Sequence, residues 1–443
     1  MEGKRATLFV AVLLVAMAGL LQAPPAVAQS GGVVCNTTKQ GTPITPALLT
    51  SGLPCQVEAV APFTLDHLQD AFDFYSWLTF VALNSPASGG KIGKDAPAVW
   101  ESWKNIFAVI VPPGQTPTPW GQPGPIPTKC QTVPHTEHEP VLRMVGKTPD
   151  LLTAVNQPFD TGPLIDQHGR YVHYEILINQ PMFDFIVANK LYSRAGQAAF
   201  TGKVDFEGGS DNPAAIGGIM VKAAWKVLGP GDDPGQFHTE TALLYQPAIA
   251  NPPIAESCRA ARVGLVGLHI AHKTTTDPQW LWSTFEPVAN APSQADIDAK
   301  KLLKHYNFYN AACPPNKCAV NQPPPRPWNP DVEPFPGGYH SQVIRVIPIT
   351  AATAGLSAQF QALLKGTVWA SYALISTQWP TNAASKTDPT GAPAPQFLAN
   401  TTMETYVQGR VPISSSSCIA CHNNAADTQG KFSDFTYILE RAQ

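Results

Sequence analysis

The sequence predicts an α+β protein, a strand-rich body with long proline-rich loops and a short C-terminal helical segment. Three observations carry that prediction. Proline makes up 45 of 443 residues, clustered at 112–127, 323–336 and 380–395, and this is roughly twice ordinary usage. Charged residues are 14% of the chain against 44% hydrophobic, a balance that suits a packed core and not the charged outer faces of helical bundles and coiled coils. Between the proline-rich stretches, one alternating segment at 219–227 and two apolar runs at 263–270 and 367–379 read as strands, beside helical spacing at 65–75 and 359–365.

Taken in order, residues 1–28 have the three parts of an export signal. Lys4 and Arg5 supply the charged start, residues 8–21 an apolar run, and Ala26-Val27-Ala28 a small-residue cleavage site. The run is too short to span a bilayer comfortably. The mature chain is therefore expected to be periplasmic or secreted, with no membrane span after signal cleavage. An α+β body is expected over 29–345 and a C-terminal region over 346–443.

Within the body, Leu65, Leu68, Phe72 and Tyr75 recur at helical spacing after Thr64, and Pro86 closes that helix. Ile219, Val221, Ala223, Trp225 and Val227 alternate with Met220, Lys222 and Lys226, which predicts a strand with its lysines on a solvated face. Apolar runs at 263–270 and 367–379 predict two more strands, and 359–365 a short helix stopped by Gly366. Phe435, Ile438, Leu439 and Ala442 share one face of a predicted final helix. The proline-rich stretches are expected to run extended.

With 29 basic and 32 acidic side chains the net charge is -3. This excludes an electrostatic nucleic-acid binder, which needs a basic surplus. The chain has no phosphate-binding GxxxxGK, no GxGxxG after a strand and no GxSxG elbow.

The eight cysteines fall into two groups. Cys35, Cys55, Cys130, Cys258, Cys313 and Cys318 are scattered, and in an exported chain they predict three disulfides. Cys313 and Cys318 either close on each other or clip loops elsewhere. Cys418 and Cys421 stand apart, in Cys418-Ile419-Ala420-Cys421-His422. That is the c-type haem attachment spacing. Two thiols one helical turn apart reach the two vinyl groups of one porphyrin edge, and the adjacent imidazole reaches the iron from the proximal side. Ser414 to Ser417 precede the motif and can cap a short helix. Random placement of 8 Cys and 11 His in 443 positions gives about 0.004 such motifs per chain. Two alternatives use the same thiols: a zinc site shared with Cys313 and Cys318, and a redox-active disulfide.

The expected cofactor is thus one covalent haem c on Cys418 and Cys421, with His422 as proximal iron ligand. Only 21 residues follow His422, and none is Met or His. A sixth iron ligand must come from upstream, or be water, or be missing. Met403 and the pair His269 and His272 are the leading candidates, with His135 and His138 in a polar loop behind them. His/Met ligation raises the reduction potential relative to His/His, and an open site permits peroxide or oxygen chemistry.

The blocks GGIMVKAAWKVL at 217–228, VGLHIAHKT at 266–274, WLWSTFE at 280–286 and SSCIACHNNA at 416–425 resemble large monohaem bacterial cytochrome c family proteins, which are exported. The likeness runs from FYSWL at 74–78 to the C-terminus. It implies thioether roles for Cys418 and Cys421 and iron ligation by His422, and it assigns no role to the other blocks. The resemblance implies a His after the Phe-Glu pair, where this chain carries Pro287. Trp280, Trp282 and Phe285 are expected to pack in a core or interface, or alternatively to line the haem edge.

Two functions from different classes follow. The first is a carrier passing single electrons to or from a redox partner protein. The alternative is a haem-dependent oxidoreductase, peroxidase- or oxygenase-like, with an open distal iron site; the length of the mature chain, far beyond a carrier's need, favours it. A structural or sensory haem module is a third. No catalytic residue stands out.

Overall fold

The computed structural model describes residues 38–50, 52–93, 96–136, 139–143, 162–212, 215–250, 253–314, 318–382 and 392–443. The expected signal at 1–28, Cys35 and His138 lie outside the described residues. The protein is α+β, built on one large sheet.

Six strands form most of that sheet: β1 (Val172–Ile178), β2 (Ile219–Val227), β3 (Thr239–Gln246), β4 (Ser257–His272), β5 (Leu281–Pro287) and β6 (Tyr372–Pro380). The order β1-β2-β4-β5-β6 is antiparallel throughout, with Lys104–Asn105 added outside β1 and Pro393–Ala394 outside β6. β4 is long enough to hold two neighbours on one edge. Its first half pairs with β3 and its second half with β5, while β2 runs along the other edge. β-branched and aromatic residues are frequent in β1, β2, β5 and β6, as their propensities favour.

One face is covered by two helices. In α1 (Leu65–Leu83) Thr64 caps the start by accepting from His67 N, and the apolar spacing found in the sequence buries the helix from Ala71 onward. Helix α2 (Ala351–Leu363) lies beside it; Trp77 of α1 stacks on Phe360 of α2 at 4.8 Å and meets Phe285 of β5 edge-on. Val221, Ala223, Leu268, Ile270 and Leu374 complete this core from the sheet.

α2 is longer than the predicted 359–365. Thr350 caps it by accepting from Thr353 N, and the alanines of its first turns carry high helix propensity with little apolar signal. The predicted strand at 367–379 starts late, because Val368–Ser371 forms a 3₁₀ turn that reverses the chain out of α2 before β6 begins at Tyr372. α2 and β6 belong to the expected C-terminal region, yet they pack on and extend the sheet of the body.

The predicted final helix does not form. Asp434 and Phe435 take φ values of 51° and 63°, which ends any helix there, and only the 3₁₀ turn Leu439–Arg441 follows. The apolar face is still buried: Phe435 and Leu439 are fully inaccessible. The solvated lysine face is also corrected. Lys226 is 2% exposed and ion-paired with Asp166 and Asp232. A buried ammonium needs such partners. Lys222 is half-buried, 5.7 Å from the Tyr174 ring.

Disulfides join Cys130 to Cys258 and Cys313 to Cys318, and Cys55 is also disulfide-bonded. No helix among the described residues is long and apolar enough to cross a membrane.

Candidate haem-attachment site

The motif lies on a one-turn helix, α3 (Cys418–His422). Ser417 caps it, its hydroxyl accepting from Ala420 N at 3.3 Å. The helix is pinned to the sheet by Gln378 of β6, whose Oε1 accepts from Ile419 N at 2.9 Å and from Ser417 Oγ at 3.2 Å. Cys418 and Cys421 are half-buried and are not joined in a disulfide, whereas Cys313 and Cys318 are bonded to each other. The shared zinc site is thereby excluded for the structure as it stands, since it needs all four thiolates.

His422 Nδ1 lies 2.6 Å from the Phe435 carbonyl oxygen. A carbonyl only accepts, so Nδ1 carries the proton and Nε2 of the neutral ring carries the lone pair. Metal-ligating histidines have this orientation in common, the far nitrogen donating to a fixed acceptor. The acceptor here is fixed by a left-handed pair of residues. Asp434 is buried and accepts from Phe206 N at 2.8 Å and Lys273 Nζ at 2.7 Å, which holds the turn that aims Phe435 O at the imidazole. Burial raises the Asp434 carboxyl to about 6, against the pull of Lys273.

The imidazole packs against Trp282 of β5 with ring centroids 4.4 Å apart, and Tyr437 meets it edge-on at 5.3 Å. Tyr437 OH donates to the Cys421 carbonyl at 2.9 Å. Burial, and then the Cys421 sulfur, push the Tyr437 hydroxyl well above its ordinary pKa. Of the aromatic block, Trp282 thus reaches the motif. Trp280 is buried against Phe206, and Phe285 belongs to the helix-covered core.

The structure does not bring all the sixth-ligand candidates together. Met403 is fully buried with Leu164, Tyr174, Ala224 and Val266, in a different apolar cluster from the one that holds Ile419 and Cys418. His272 has both nitrogens engaged: Nε2 donates to Ile216 O at 2.7 Å, so Nδ1 accepts from Tyr75 OH at 2.5 Å. Its pKa is lowered to about 4 by burial. His135 Nδ1 donates to Val133 O at 2.6 Å in its loop. His269 is half-buried, its Nε2 3.3 Å from Glu404 Oε1.

His269 stands in an unusual row. Ile176 of β1, Lys222 of β2 and His269 of β4 are cross-strand neighbours, and each is the one residue in its central run that is not buried. The next row on the same face is Ile178, Met220, Ala271 and Trp282, the tryptophan on which His422 packs. The half-buried row thus lies one residue row from the tryptophan on which His422 packs.

Sequence reasoning missed Gln378, Asp434, Phe435 as the residue whose carbonyl accepts from His422 Nδ1, and Glu404. All act through contacts distant in the chain, and no local spacing marks them. Comparison with family models, curated proteins and solved structures finds no match to this chain.

Proposed function

We propose that the protein is an exported c-type cytochrome that carries one haem c and passes single electrons to or from a redox partner protein in the periplasm or outside the cell. The observation that carries this reading is the joint geometry of the motif: two thiols one helical turn apart, next to an imidazole whose Nδ1 proton is held by Phe435 O. These residues fit the group. Cys418 and Cys421 would hold it through thioethers, and His422 Nε2 would ligate its iron. When bound, haem supplies a one-electron couple whose potential depends on the axial ligands and their hydrogen bonds. The chain's own part is to orient His422, to keep its Nδ1 proton on a carbonyl, and to shield it with Trp282 and Tyr437.

The test is expression with the intact haem-maturation machinery. The mature protein is expected to show a Soret band and haem staining on a denaturing gel, and Cys418→Ala with Cys421→Ala is expected to lose both. A colourless wild-type protein would refute the reading.

The half-open row at Ile176, Lys222 and His269 favours a second reading, a haem-dependent oxidoreductase with an accessible distal side. Glu404 Oε1, 3.3 Å from His269 Nε2, fixes the orientation of that ring. Ferric EPR separates the readings: a low-spin signal indifferent to cyanide and carbon monoxide supports the carrier, and a high-spin signal the oxidoreductase. Met403→Ala and His269→Ala, each read by the same spectra, identify any protein-derived sixth ligand.

A further inference from the structure

A second group of ligand-type side chains lies on the opposite side of the sheet from the haem motif, under the edge where β3 meets β4. Glu101 comes from the 3₁₀ turn Val99–Ser102, His238 immediately precedes β3 and Glu240 is its second residue. His238 Nε2 donates to Glu101 Oε1 at 2.5 Å and lies 3.9 Å from Glu240 Oε1. One nitrogen and two carboxylate oxygens, one from each residue, fall within 4.8 Å of one another.

The three side chains are held in place by their surroundings. Glu101 Oε2 accepts from Ala98 N at 2.7 Å at the start of that turn. The His238 ring stacks on Trp369 at 4.8 Å, and its backbone N donates to Tyr372 OH. A third carboxylate, Glu175, is buried beside them and accepts from Trp225 Nε1 at 2.8 Å. Among the described residues, the ion pairs of Glu101 and Glu240 run to His238 alone, so three acids face one imidazole. Burial and then the Glu101 charge push Glu240 up to about 8, and burial above all pushes Glu175 up to about 7. Among the described residues no lysine or arginine is ion-paired with Glu101 or Glu240, and a nitrogen donor sits among the oxygens.

We infer that Glu101, His238 and Glu240 form a binding site for a divalent first-row transition metal ion. Imidazole with carboxylates suits Mn²⁺, Fe²⁺ and Zn²⁺. Oxygen-only ligands would instead favour Ca²⁺ or Mg²⁺. The side chains of Glu101 and His238 are 12% and 10% exposed and that of Glu240 26%, so the ion enters past Glu240 and keeps solvent ligands on that side. Binding displaces the proton of the His238 Nε2–Glu101 hydrogen bond, so uptake releases a proton. The other ligand-type cluster, Cys313, Cys318 and His340, is closed by its disulfide.

The experiment uses tag-free full-length mature protein, stripped with EDTA and titrated with MnCl₂, with free Mn²⁺ counted by EPR. Mn²⁺ is chosen because it avoids the thiols of the haem motif. One Mn²⁺ per chain is expected, with a raised melting temperature. Glu240→Gln is expected to weaken binding at least tenfold, and His238→Ala to abolish it. Should His238→Ala fail to fold, Glu240→Gln decides, being the most exposed of the three, with its fold checked by circular dichroism. No binding at millimolar Mn²⁺, or binding unchanged in Glu240→Gln, would overturn the inference and leave the cluster held by shared protons.

Discussion

Asp73 offers a test of how the helical layer is fastened to the sheet. It lies on α1, 1% exposed, and no cation is among its partners. Its carboxylate accepts from Gln69 Nε2 at 3.0 Å, from Thr353 Oγ1 of α2 at 2.6 Å and from Thr377 N of β6 at 3.0 Å. One carboxyl thus ties two helices to a strand. Burial outweighs these hydrogen bonds and raises its pKa from 3.8 to about 6. The folded protein therefore binds the proton more tightly than the unfolded chain does. As pH rises from about 4 through 6, the unfolded state loses the proton first, and stability falls. At 1.36 kcal/mol per pKa unit the full effect is about 3 kcal/mol, of which about 2 kcal/mol falls between pH 4 and 7. Asp73→Asn removes the titration. Urea unfolding of both proteins across that range is expected to show the wild type losing about 2 kcal/mol more than the variant. The comparison between proteins matters, because Glu175 and Glu240 also titrate upward-shifted. Parallel pH profiles for wild type and Asp73→Asn would refute the argument.

Three further outcomes are expected. Asp434→Ala strips Lys273 of a buried partner and removes, at φ 51°, the short polar side chain that makes a left-handed backbone tolerable, so stability should fall by about 3 kcal/mol in urea unfolding. Asp434→Asn should cost less, since asparagine tolerates that backbone. In haem-loaded protein Asp434→Ala should also raise the reduction potential measured by redox titration, because a loosened Phe435 carbonyl makes the His422 imidazole a poorer donor. Trp282→Leu removes the ring 4.4 Å from His422 and should shift the Soret band and potential while the far-ultraviolet circular dichroism stays unchanged. Lys226→Ala leaves Asp166 and Asp232 buried with less compensation, and thermal unfolding should show a loss of about 3–5 kcal/mol.

Much of the fold was legible where a residue's role is local. The helix starting at Thr64 followed from a cap and a 3.6-residue period, and the strands around 219–227 and 263–270 from alternation and β-branched content. The Cys313–Cys318 bond was one of two readings left open by a spacing of five. α2 was cut short in the prediction because alanine and glycine carry no face, so the helix is visible only through its cap and its partners. The final helix failed for the opposite reason: its apolar face is real, but Asp434 is held in a left-handed turn by Phe206 N and Lys273, contacts more than 150 residues away in the chain.

The same division runs through the candidate site. Cys418, Cys421 and His422 are adjacent, and the chemistry of their spacing is a property of the covalent chain, so sequence alone determined them. Tertiary structure alone decided which carbonyl holds the His422 proton and which ring covers the imidazole. It also decided that Lys226 is buried while Lys222 is half-buried. Each of these depends on strand register, where moving a pairing by one residue turns a side chain to the other face, and register is set by the packing of the whole sheet.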